Sequence, residues 1–128
     1  MIVVMQARVC STRLPGKSFF TFFGQTMIER ACSIAKEIKD VNKIILATGD
    51  RPENQALRPL VEGMNVDFFV GSEDNVLERF YQAIDGYEGR YMLRMTCDNY
   101  LIQPDVIEGL HKAAKQHDAD YALSLIHI

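Results

Sequence analysis

The stretch that decides the fold is Met1-Ile-Val-Val-Met-Gln-Ala-Arg8-Val-Cys-Ser-Thr-Arg-Leu-Pro-Gly-Lys17. Its first five residues form a continuous apolar run, the pattern of a strand covered on both faces. Residues 8–17 carry Arg8, Arg13 and Lys17 together with the hydroxyls of Ser11 and Thr12. Pro15-Gly16 demands a turn, and Gly16 permits close backbone approach. A buried strand running into a basic, turn-rich loop is suited to surrounding a polyphosphate with guanidinium, ammonium and backbone N–H donors. A solvated basic loop has the same composition, but its place directly after the first strand argues against that reading.

Outward from this stretch, strand-like and helix-like segments alternate. Apolar runs at Ile2–Met5, Lys43–Thr48, Val66–Val70, Arg90–Thr96 and Tyr121–Ile126 predict five strands. Helical stripes lie between them. Met27, Ile28, Ala31, Ile34, Ala35 and Ile38 form one; Val76, Leu77, Phe80, Tyr81 and Ile84 another; Val106, Ile107, Leu110, Ala113 and Ala114 a third. A weaker stripe of Leu57, Leu60, Val61 and Met64 contains Pro59, which should kink or restart it. Asp74 is the expected N-cap of the helix from Val76, and Pro104 suits the first turn of the last helix. The alternation predicts an α/β domain, a mostly parallel sheet with helices on both faces. Ligands then bind beyond the carboxyl ends of the strands. That places the candidate site on four loops: Arg8–Lys17, Gly49–Glu53, Gly71–Asp74 and Cys97–Tyr100.

The chain has 128 residues, enough for one domain with a real core. Its formal net charge of −3 leaves no global positive field to draw it onto nucleic acid or an anionic membrane. Any bound anion must be met by a local cationic cluster. The three cysteines, Cys10, Cys32 and Cys97, are widely spaced without a CxxC pair, which points away from a disulfide or zinc framework and toward a reducing cytoplasm. The apolar N-terminal run is too short for a signal peptide or membrane span. His111, His117 and His127 form no ligand constellation. Gly16-Lys17-Ser18 matches the end of a P-loop, but Ser11 stands where its first Gly belongs, and Phe19-Phe-Thr-Phe-Phe-Gly24 is a poor helix opening. Phe19, Phe20, Phe22 and Phe23 read as core or interface packing.

Asp98 follows the fourth strand, at its carboxyl end. A carboxylate there can hold Mg²⁺ against phosphate oxygens, or can serve a turn beside Asn99. Arg94 lies in the strand, where a charge needs a partner or a cleft. Ser72 suits a hydrogen bond to a base and equally suits a cap. Arg51 faces either the ligand or a helix-entry turn led by Pro52. Arg79 reads as a surface helix residue paired with an acid.

Arg8-x-x-Ser11-Thr-Arg13-Leu-Pro-Gly-Lys17 resembles the signature loop of the cytidylyltransferases, the group containing acylneuraminate and 3-deoxy-manno-octulosonate cytidylyltransferases and the spore-coat polysaccharide biosynthesis F proteins. Gly71-Ser-Glu-Asp-Asn-Val-Leu-Glu-Arg79 and Arg94-Met-Thr-Cys-Asp98-Asn-Tyr-Leu-Ile-x-Pro104 are similar to further patterns of that group. Cys10 and Cys97 stand where the family usually has Gly, and Tyr100 where it usually has Pro.

The resemblance implies a Rossmann-like three-layer α/β/α fold of the nucleotide-diphosphosugar transferase type. It implies transfer of CMP from CTP to an acidic sugar, for polysaccharide or glycoconjugate biosynthesis, with Mg²⁺ held by Asp98. Arg13, Lys17 and Asp98 take catalytic roles in that reading, and Arg8, Ser11, Ser72 and Arg94 join Arg13 and Lys17 in binding the nucleotide. Family members are longer, so residues 1–128 read as a single nucleotide-binding domain, the N-terminal half of the usual one. A terminal strand left open would favour a homodimer.

Overall fold

The central strand, β1 (Ile2–Gln6), is buried from Ile2 to Met5 because it has a neighbour on each edge and a layer on each face. The computed structural model describes residues 1–10 and 14–124. After β1 come a 3₁₀ turn (Lys17–Phe19), β2 (Thr21–Phe22), β3 (Gln25–Thr26) and α1 (Met27–Glu37). Then follow β4 (Lys43–Gly49), a 3₁₀ helix (Pro52–Leu60), β5 (Asp67–Gly71), α2 (Val76–Ile84), β6 (Met92–Thr96) and α3 (Pro104–Gln116).

The main sheet is parallel throughout, in the order β5-β4-β1-β6. Val4 pairs with Ile45 on one side and with Arg94 on the other. The chain steps outward from β1 to β4 to β5, then returns to lay β6 on the other side of β1. The order therefore reverses at β1, and a crevice opens beyond the carboxyl ends of β1 and β6.

Alternation along the strands feeds two cores. Val3, Met5, Ile44, Leu46 and Met95 pack with Ile28, Ile34 and Ala35 of α1, Leu57 of the 3₁₀ helix and Ile107 of α3. Ile2, Val4, Ile45 and Ala47 pack on the opposite face with Phe80 and Ala83 of α2. Fully buried side chains such as Met5, Ile34 and Leu46 each contribute roughly 1.5–3 kcal/mol relative to exposure. The result is the three-layer α/β/α architecture. α2 covers β1, β4 and β5, whereas Met92, Arg94 and Thr96 of β6 stay exposed on that face.

Local chemistry explains the helix starts. Thr26 and Glu29 form a reciprocal capping box on α1, with bonds of 3.2 and 2.7 Å. Pro104 opens α3. The cap of α2 is Asn75, whose side chain accepts the Glu78 N–H at 3.1 Å; Asp74, expected there, lies one residue too early. The Leu57 stripe is 3₁₀ rather than α, consistent with Pro59 having no N–H to give an i→i−4 bond.

One expectation needs further correction, and one element leaves no trace in the sequence reading. Residues 121–124 form no strand, and 125–126 lie outside the described residues. Tyr121 and Leu123 are apolar but exposed, and a strand requires an edge to pair with. The β2–β3 hairpin is too short to leave a periodic signal, and its turn carries positive φ at both Phe23 and Gly24. Of the four phenylalanines read as core or interface packing, Phe19 packs against the core, and Phe20, Phe22 and Phe23 are exposed. No described helix is long and apolar enough to cross a membrane.

Candidate nucleotide site

All four candidate loops emerge at the same end of the sheet, because β1, β4, β5 and β6 are parallel. The loop after β1 is closed on itself. Gly16, at φ +70°, donates its N–H to Val9 O at 3.2 Å, and the Ser18 hydroxyl donates to Arg8 O at 3.1 Å. Lys17 then leads into one 3₁₀ turn and the hairpin, unlike the helix that follows a P-loop lysine. Ser11 and Arg13 lie outside the described residues.

Lys17 reaches across the crevice. Its Nζ lies 2.5 Å from Asp98 Oδ2. That hydrogen bond is the main reason the Asp98 carboxyl sits below its usual range, outweighing partial burial that pushes it up. The Cys97 N–H donates to Gln6 O at 3.3 Å, tying the β6 loop to the end of β1. Tyr100 donates to Phe22 O at 2.9 Å, with its ring 5.5 Å from Phe22, and so fixes the hairpin beside the crevice.

A cavity of about 220 Å³ occupies this place, lined by Gln6, Arg8, Lys17, Arg94, Thr96 and Asp98 among others. Arg94 lies on the open face of β6 and donates to Gln6 Oε1 at 3.3 Å. The structure thus gathers Arg8, Lys17, Arg94 and Asp98 around one cavity. Ser72 is one loop away, and its hydroxyl accepts the Asn75 N–H at 3.0 Å, the capping role weighed beside base binding. Cys97 also lines the cavity but is buried, and burial pushes its thiol far up, which disfavours a nucleophilic thiolate.

Arg79 departs from expectation. It is buried, and its Nη1 donates to the carbonyls of Ser72 at 2.5 Å and Glu73 at 3.3 Å, while its Nε has no partner. It shapes the loop after β5 rather than meeting a surface acid.

Two residues escape a sequence reading. Glu73 Oε1 lies 3.8 Å from Arg8 Nη1 and 3.7 Å from Arg51 Nε, and its Oε2 accepts from Asn54 Nδ2 at 3.0 Å. Arg51, open between two readings, therefore joins Arg8 at one carboxylate. The only hint was the position of Glu73 directly after a strand, within the Gly71-Ser-Glu-Asp pattern.

The donor set bears on a metal. Among the described residues no three His, Cys, Asp or Glu side chains converge as a ready metal cage. Asp98 offers one ionised, part-exposed carboxylate already facing a cation, the Lys17 ammonium. One carboxylate completed by phosphate oxygens and water fits Mg²⁺.

Comparison with known proteins shows the family and the fold. The sequence model of the cytidylyltransferase family matches residues 2–127, and the chain belongs to that family. It is similar to the spore coat polysaccharide biosynthesis protein SpsF of Bacillus subtilis, at 28% identity over 98% of this chain and 54% of that one. It is also similar to the 3-deoxy-manno-octulosonate cytidylyltransferase of Psychromonas ingrahamii, at 33% identity over 92% and 47%. A solved structure of CMP:2-keto-3-deoxy-manno-octonic acid synthetase complexed with CTP superposes with a TM-score of 0.75 at 24% identity, over 92% and 48%. The chain spans about half the length of these relatives.

Proposed function

We propose that this member of the cytidylyltransferase family binds CTP beyond the ends of β1 and β6 and transfers CMP to an acidic sugar, serving polysaccharide or glycoconjugate biosynthesis. The observation that carries the proposal is the meeting of Lys17 and Asp98 at 2.5 Å beside a cavity at the reversal of strand order. An anion-binding cation and a metal-binding carboxylate face each other there.

A sugar hydroxyl attacks the α-phosphorus in line, and pyrophosphate leaves. Such a displacement depends on positioning and on neutralising charge as it moves to the leaving group. Arg8, Arg13 and Lys17 hold the phosphates and take up that charge. Ser11 adds a hydroxyl to the loop, Ser72 addresses the base, and Arg94 donates from the floor of the cavity. Asp98 would hold Mg²⁺, which supplies Lewis-acid charge and a template for the phosphates.

A second reading is a nucleotide-binding module without turnover. The cavity of about 220 Å³ favours it, since ligand sites usually measure ~300–1,000 Å³ and a sugar would need room beside the nucleotide.

Thermal-shift titration with CTP, UTP, GTP and ATP, with and without Mg²⁺, tests both. Ligand at about a hundred times its Kd stabilises by roughly 2.7 kcal/mol. The proposal expects a Mg²⁺-dependent preference for CTP that weakens in Asp98→Ala. Pyrophosphate release with an acidic sugar then separates the enzyme from the module. No shift with any nucleotide would overturn both readings.

A further inference from the structure

We propose that Asn54, acting with Glu73, is the positioning residue of the phosphate loop. It anchors the loop backbone at Val9 and thereby sets the Arg8 guanidinium in place for the anion. The inference rests on the reading of the crevice as a nucleotide site and adds what aims its cations.

Asn54 sits in the 3₁₀ helix after β4 and is 2% exposed. Its Oδ1 accepts the Val9 N–H at 2.9 Å. Its Nδ2 donates to Gly49 O at 3.0 Å and to Glu73 Oε2 at 3.0 Å. One buried amide therefore joins the loop after β1, the end of β4 and the loop after β5. It uses both N–H donors and an acceptor, so it has one orientation in which everything is satisfied.

Glu73 is held by that bond and by its own N–H, which donates to Asp50 Oδ1 at 3.2 Å. With Oε2 fixed, Oε1 is presented to Arg8 at 3.8 Å and Arg51 at 3.7 Å. These separations exceed hydrogen-bond length, so the carboxylate steers the guanidiniums and leaves their N–H groups available to an anion. Both arginine side chains are more than half exposed, whereas that of Glu73 is 9% exposed. A largely buried carboxylate, held by two hydrogen bonds and guiding exposed cations, makes an aiming device.

The experiment measures binding of Mg²⁺·CTP and of inorganic triphosphate, with the apo melting temperature and Val9 amide exchange followed in parallel. Asn54→Leu adds no charge and removes both the acceptor for Val9 and the hold on Glu73. It is expected to weaken both ligands about ten-fold at a temperature where the variant stays folded, and to speed Val9 exchange. Asn54→Asp keeps the Val9 acceptor but turns an oxygen toward Gly49 O and Glu73 Oε2, and should also lose affinity. Adding Glu73→Gln to Asn54→Asp restores a donor facing an acceptor and the wild-type net charge but removes the carboxylate that steers Arg8 and Arg51, so affinity should stay below wild type; full recovery would overturn the aiming role of Glu73. Affinity for both ligands within two-fold of wild type in Asn54→Leu, with only the melting temperature lowered, would overturn the inference and leave the nucleotide reading standing. A wild-type chain that binds neither ligand would overturn both.

Discussion

Lys17 Nζ and Asp98 Oδ2 lie 2.5 Å apart although 81 residues separate them in the chain. The contact exists because β1 and β6 are parallel neighbours, so their following loops face each other. Both side chains are partly exposed, and such a pair contributes only ~0–1 kcal/mol to stability. Its importance lies in binding. Lys17→Met is expected to leave the melting temperature nearly unchanged yet weaken CTP about 10–100-fold, the scale of a lost charged hydrogen bond. Calorimetric titration beside a melting curve checks the split, and a large melting loss with intact binding would show the pair to be structural.

The same pair sets a pH dependence. The Asp98 carboxyl titrates below its ordinary range, chiefly because Lys17 donates to it. A lowered folded-state value means that its stabilising contribution is complete above the unfolded value of ~3.9 and is lost as pH falls through the folded one. Asp98 therefore stays ionised throughout pH 5–8 and adds no pH dependence there. Carboxyl-carbon NMR should place its midpoint below that of a free aspartate, and Lys17→Met should move it upward. An unmoved midpoint would disprove the coupling.

How much was legible follows from how local each signal is. The apolar run of β1 and the cationic loop behind it stand together in the first seventeen residues, so sheet, crevice and Lys17 could be read directly. Asp98 was legible because it lies just past the carboxyl end of a strand. Asn54 and Glu73 were not, because their meeting depends on how the 3₁₀ helix seats against the end of β5, and no spacing rule describes that. Arg79 misled for a related reason. Its helical position suggested a surface ion pair, but the turn at Ser72–Glu73 presents carbonyls that draw the guanidinium inward. The hairpin was missed because two-residue strands have no period.

The three cysteines should separate by reactivity. Cys10 is exposed, Cys32 and Cys97 are buried, and burial pushes the Cys32 thiol up to about 12. The thiolate is the reacting species, so limited alkylation at pH 8 is expected to label Cys10 first and the others at least ~10-fold more slowly. Peptide mass spectrometry reads the order. Early labelling of Cys97 would mean that the end of β6 opens far more than its packing implies.

Two glycine substitutions should act with opposite sign. At Gly49 a Cβ would fall 1.7 Å from Glu73 Oε2 and 2.9 Å from the Glu73 Cα, so the carboxylate and its backbone would have to leave the seat beside Asn54. Gly49→Ala is expected to cost about 1–3 kcal/mol, the scale of overpacking a filled site. At Gly109, inside α3, a Cβ would meet nothing within 4 Å. Gly109→Ala is expected to stabilise by about 0.8–1 kcal/mol through helix propensity. Denaturant melts of the two variants beside the wild type give both values. If Gly49→Ala melts like the wild type, Glu73 is free to leave its seat without cost, and the rigid carboxylate assigned to aiming Arg8 and Arg51 does not exist.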